Sequence, residues 1–123
     1  MTTQSVMEDH RKVFVAYRHT GEDPAELEAM LTPICERFRQ IGFEVYCSFF
    51  EEARFQSSGL TPRQIMDNAF TKLEEMDILF VLQHSPEKSE GMIMEVGWAI
   101  GRNLGIHVAY RKGIGYTYLP SMA

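Results

Sequence analysis

Three short apolar runs, at residues 12–17, 77–83 and 106–110, alternate with stretches in which apolar residues recur every three or four positions. Runs that are apolar at successive positions suit strands buried on both faces, whereas the intervening period suits amphipathic helices. A sheet covered on both faces needs helices on both faces. Its strands run parallel, because crossover helices rather than hairpins join them, and the crossovers are right-handed. The alternation therefore predicts an α/β chain with a three-layer, flavodoxin- or Rossmann-like, doubly wound parallel sheet.

The punctuation supports this division. Asp23-Pro24 reads as a helix N-cap followed by proline in the first turn, and Gly42 stops the helix that follows. Leu27, Met30, Leu31, Ile34, Phe38 and Ile41 form its apolar face. A second strand is expected at 43–48 and a long polar loop at 49–60. Thr61-Pro62 opens a second helix bearing Ile65, Ala69, Phe70, Leu73 and Met76. Ser89 can cap a third helix, which Gly105 is expected to end before the strand at 106–110. A short fifth strand is expected at 116–119, completing the order 2-1-3-4-5, after a tail at 1–10 and within a single domain at 11–123.

Composition narrows the partners. At 123 residues, 45% apolar and 24% charged, the chain fits one globular domain. A net charge of −5 with no basic run argues against nucleic acid. No apolar run reaches the ~18 residues of a membrane span, and the first residues lack an export signal, so a cytoplasmic location is expected. Cys35 and Cys47 show no framework spacing and read as reduced thiols. His19, His84 and Cys47 lack metal-ligand spacing, and neither a metal nor a cofactor is expected.

One charge stands out. In Gly91-Met-Ile-Met-Glu-Val-Gly-Trp-Ala-Ile-Gly101, Glu95 is the only ionisable residue, and at helical spacing it meets Gly91, Met92, Trp98 and Ala99. A carboxylate there is either solvated or desolvated, and desolvation raises its pKa. In the expected sheet, ligands bind beyond the carboxyl ends of the strands, at the switch point between strands one and three. The third helix starts there. The amides around Ser89, Glu90 and Gly91, with the Ser89 hydroxyl, form a candidate phosphate site, and Gly91 allows close backbone approach. A carboxylate six residues on could face the sugar of the same ligand. That suits cleavage of an N-glycosidic bond, whose oxocarbenium-like transition state a carboxylate stabilises or captures.

The segment Asp77-Ile-Leu-Phe-Val-Leu followed by Ser89-Glu-Gly-Met-Ile-Met-Glu95-Val-Gly-Trp-Ala and a glycine turn resembles the nucleoside 2-deoxyribosyltransferase family. That superfamily includes the nucleoside 5'-monophosphate N-hydrolases. The resemblance spans roughly residues 12–112. It implies that Glu95 is the nucleophile, that Ser89 contacts a phosphate, and that the partner is a nucleoside or nucleotide small molecule. It also implies a homodimer or larger homo-oligomer. The chain departs from the family pattern twice. The aspartate expected eight residues before Asp77 is Ala69, with Asp67 and Asn68 only nearby, and the strand-one tyrosine is absent near Val13 or Phe14. Tyr17 at the strand end, His19 and His84 are candidate substitutes, while Arg18 and Arg102 could contact phosphate but read first as surface residues.

A second resemblance competes. Val13-Phe-Val-Ala-Tyr-Arg-His-Thr-Gly-Glu-Asp23 is similar to the first box of Toll/interleukin-1 receptor (TIR) domains, and 89–95 keeps their serine-to-glutamate spacing. It implies NAD cleavage by the same glutamate, or a self-associating signalling role. The Gly97-Trp-Ala99 step and the glycine turn favour the transferase family, and the tryptophan-cysteine pair usual in TIR domains is missing. The two departures also leave room for a non-catalytic nucleotide-binding module. Trp98, Met92 and Met94 read as core residues, and His107 as a structural histidine in a buried strand.

Overall fold

The computed structural model describes residues 11–19, 21–51, 57–85 and 89–110. Among these the elements run β1 (Arg11–Tyr17), α1 (Pro24–Gln40), β2 (Phe43–Tyr46), a 3-10 turn (Ser48–Glu51), α2 (Pro62–Glu74), β3 (Ile78–Gln83), α3 (Glu90–Gly101) and β4 (Gly105–Tyr110). The four strands form one sheet in the order β2-β1-β3-β4, and every neighbouring pair is parallel. The expected α/β parallel sheet is therefore present, compatible with a Rossmann-like fold. The strand expected at 116–119 and the tail at 1–10 lie outside the described residues.

Alternation along the strands assigns the two faces. Phe14, Ala16, Leu79 and Val81 pack with Ala69 and Leu73 of α2 and with Met92, Val96 and Ala99 of α3. Val15, Tyr17 and Leu82 pack on the opposite face with Leu27, Leu31 and Cys35 of α1. Thus α1 covers one face, and α2 and α3 cover the other. Cys47, just past β2, packs with Cys35 beneath α1, and both thiols are free and buried. The neighbouring Cys35 thiol pushes the Cys47 thiol up, with burial adding to the effect.

Local chemistry sets the helix starts. The Asp23 carboxylate accepts from the Glu26 amide at 3.0 Å, with Pro24 in the first turn of α1. Thr61 and Gln64 form a reciprocal capping box at α2, at 2.8 and 3.2 Å. Several expectations need correction: the second strand, expected at 43–48, ends at Tyr46, and the loop expected from 49 opens with the 3-10 turn Ser48–Glu51. Ile41 is the C-cap of α1 and 56% exposed, because the chain has already left the helical face there. Gly105 does not end α3: the helix closes at Arg102, Asn103 takes the left-handed turn at φ 59°, and Gly105 is the first residue of β4. Met94 and His107 are exposed rather than buried, since each projects away from the packed side of its element.

Asp77 secures the entry to the two central strands. Its carboxylate accepts from the Lys12 amide at 2.8 Å, and its own amide donates to the Lys12 carbonyl at 2.9 Å. Asp77→Ala is expected to cost about 1 kcal/mol, the net worth of one such bond. Urea denaturation would show it as a lower midpoint with an unchanged slope.

Candidate functional site

The carboxyl edge of the sheet divides into two neighbourhoods, because successive residues at a strand end point to opposite faces. On the α1 side, the His84 ring is buried with Nε2 3.2 Å from the Arg18 carbonyl; a carbonyl only accepts, so Nε2 carries the proton in this bond. Its Nδ1 lies 3.8 Å from the Glu22 carboxylate, which also accepts from the Arg18 Nε at 3.2 Å. A cavity of about 540 Å³ opens beside this network, with Glu22, Glu26, Leu27, Met30, Leu82 and His84 among its lining. Its acidic mouth disfavours a phosphate. Tyr17 sits in the α1-side cluster with its ring 6.3 Å from both His19 and Phe49, and His19 is exposed.

Ser89 and Glu95 occupy the other neighbourhood. Ser89 has extended backbone and its hydroxyl accepts from the Met92 amide at 3.3 Å, making it the N-cap of α3. The hydroxyl is thus engaged in capping, and the first amides of α3 follow it. A Cβ placed at Gly91 would meet nothing within 4 Å, so the first turn is open on that side. Glu95 follows six residues later, about 9 Å along the axis at helical rise.

Met92, Val96 and Ala99 are the buried stripe of α3, and Glu95 stands at its margin. Trp98, three residues on, lies on the same flank and packs on Phe70 of α2 with ring centroids 6.1 Å apart. Glu95 therefore faces the α2 side, while the Arg102 guanidinium covers the Trp98 ring further along, at 4.6 Å. The Glu95 residue keeps some contact with solvent, yet protein surrounds the carboxyl closely enough that burial pushes its pKa up to about 8. No other cause contributes, and among the described residues no hydrogen bond or ion pair supports the charged form.

The structure thus brings Ser89, Gly91 and Glu95 onto one helix and gathers Tyr17, Arg18, His19 and His84 on the α1 side. It does not unite the two groups on one face. Asp67 is exposed on α2, with its backbone carbonyl accepting from the Thr71 hydroxyl at 2.9 Å. Ala69 is packed in the core, so the position at which the resemblance implies an aspartate is sealed by apolar neighbours.

Two polar features were not singled out from sequence. Asn68 donates to the Tyr46 hydroxyl at 3.0 Å, and the Tyr46 ring packs 5.1 Å from that of Phe14. Gln83 ends β3 on the α3 face; its amide nitrogen donates to the Ser85 carbonyl, but its buried Oε1 has no hydrogen-bond partner. A glutamine closing an otherwise apolar strand was the available signal. Among the described residues, no group of three or more His, Cys, Asp or Glu side chains is placed to hold a metal ion, and no helix is long and apolar enough to cross a membrane. The chain matches no protein-family model and no curated protein.

Proposed function

We propose that this protein cleaves, or transfers across, the N-glycosidic bond of a nucleoside or nucleoside 5'-monophosphate, with Glu95 as the nucleophile. The observation that carries the reading is the desolvated Glu95 carboxyl, held near pKa 8 by burial alone. An ionised carboxylate in that setting is poorly solvated and gains most when positive charge develops beside it. The sugar of a nucleotide develops that charge as its base departs. One Glu95 oxygen attacks the anomeric carbon, and the carbon–nitrogen electron pair leaves with the base, which takes a proton. Water or a second base then displaces Glu95 from the sugar. Ser89 and the first amides of α3 suit the 5'-phosphate, on the same helix as Glu95.

A second reading, a nucleotide-binding module without turnover, is favoured by Ala69 and Asp67. With alanine in the core and aspartate exposed, α2 offers no carboxyl beside Glu95 to help the base leave. A homo-oligomer belongs to either reading. The outward face of α3 supports it, since Met94 (48%) and Ile100 (46%) are exposed there with Gly97 and Gly101.

Incubation with nucleoside 5'-monophosphates, deoxynucleosides and NAD, followed by chromatography for released base, tests the activity. Release from a monophosphate is the expected result. Release from NAD alone would replace the substrate class while keeping the bond type. Tight binding without release would establish the module.

A further inference from the structure

Gln83 is 1% exposed, and its Oε1 has no hydrogen-bond partner. A buried acceptor left unpaired is costly, and folded proteins retain few of them. The rest of the side chain is fixed, because its amide nitrogen donates to the Ser85 carbonyl in the connection between β3 and α3. That bond assigns the nitrogen and leaves the carbonyl oxygen as the orphan. Strand alternation then locates the group. Leu79 and Val81 lie on the face covered by α3, whereas Leu82 and His84 line the cavity on the α1 side. Gln83 continues the Leu79–Val81 row as the last residue of β3, where the chain passes to the capping residue of α3.

We infer that the Gln83 carbonyl accepts a hydrogen bond from a sugar hydroxyl of the bound ligand. This inference rests on the nucleotide reading proposed above. If the first turn of α3 takes the phosphate and Glu95 faces the anomeric carbon, the sugar spans the interval between them. A hydroxyl satisfies the requirement: the orphan is an acceptor, so the ligand must supply a donor. Glu95 does not supply it, since no side chain among the described residues reaches Oε1. Gln83 therefore acts as a residue that selects the sugar, while Glu95 performs the chemistry. A ligand with that hydroxyl relieves the penalty of the unpaired Oε1, and an analogue without it does not, which is the source of the preference.

Calorimetric titration tests this assignment on the Glu95→Ala protein, in which the ligand survives, with and without Gln83→Met. The probes are a ribonucleoside 5'-monophosphate and its 2'-deoxy and 3'-deoxy analogues. Removing one of the two hydroxyls should weaken binding to the Gln83 protein by roughly tenfold, the scale of one neutral hydrogen bond. The Gln83→Met protein should bind the hydroxyl-bearing ligand about that much more weakly and should no longer distinguish it from the analogue. Equal affinity for all three sugars in the Gln83 protein would overturn the inference, even if Gln83→Met failed to fold. So would a folded Gln83→Met protein that kept the full sugar preference. If none of the nucleotides binds the Glu95→Ala protein or the wild type, the nucleotide reading itself fails and the role of Gln83 falls with it.

Discussion

Glu95→Ala is expected to lower base release by roughly a thousandfold or more, because the covalent route disappears with its nucleophile. Glu95→Asp should retain little of the lost rate, since shortening the side chain by one methylene withdraws the oxygen from the anomeric carbon by more than an ångström-scale alignment tolerates. The wild-type pH profile supplies an independent mark. Attack needs the ionised carboxylate, and burial holds its pKa near 8, so kcat/KM in the free protein should rise with pH and level off above about 8. A carboxylic acid donating its proton to the leaving base would show the opposite slope. Unchanged base release from a folded Glu95→Ala protein would remove Glu95 from the reaction altogether.

The same burial predicts a large effect on stability. The Glu95 carboxyl titrates near pH 8 in the folded protein, against an ordinary value of 4.5. Below pH 4.5 both folded and unfolded chains hold the proton, and the position imposes no charge penalty. As pH rises from 4.5 towards 8, the unfolded chain releases the proton while the folded protein keeps it, so stability falls. The loss from this one group should be on the order of 4 kcal/mol by pH 8, and it flattens above that value. Glu95→Gln removes the titration while preserving the shape of the side chain. Urea unfolding at a series of pH values should find the glutamine variant increasingly more stable than wild type from pH 5 to pH 8. Parallel stability curves for the two proteins would show that the carboxyl is solvated. Under the proposed function, a carboxyl that weakens the fold at working pH follows the usual relation between stability and activity.

Much of the fold was legible because its signals are local. Asp23, Thr61 and Ser89 cap helices through bonds to amides three residues away, and such bonds are written directly in sequence spacing. The two central strands announced themselves as apolar runs because both faces are covered. Failures came where the outcome depends on a distant partner. Ile41 continues the apolar period of α1, yet the covered sheet no longer lies beneath it. His107 occupies a strand next to β3, but its own face is exposed. Tyr17 looked adjacent to Glu95 through the strand order, although its position in the alternation directs it under α1. Within the candidate site, Glu95 and Ser89 were readable as an isolated charge and a cap. Gln83 was not, since its meaning comes from an unpaired oxygen that only the packed structure reveals.

The sheet order has a consequence for how this chain reaches its native state. β1 is flanked on both sides by strands that lie far ahead of it in sequence; the Lys12–Asp77 bond alone spans 65 residues. Among the described strands none pairs antiparallel with its sequence neighbour, so no hairpin is available as an early local seed. On the ribosome, β1 must wait with one edge open until β2 has emerged and with the other open until β3 has. Closing such long loops before any sheet contact rewards them makes folding slow for a chain of this size. During that interval the protection of β1 falls to α1, the first element able to cover it.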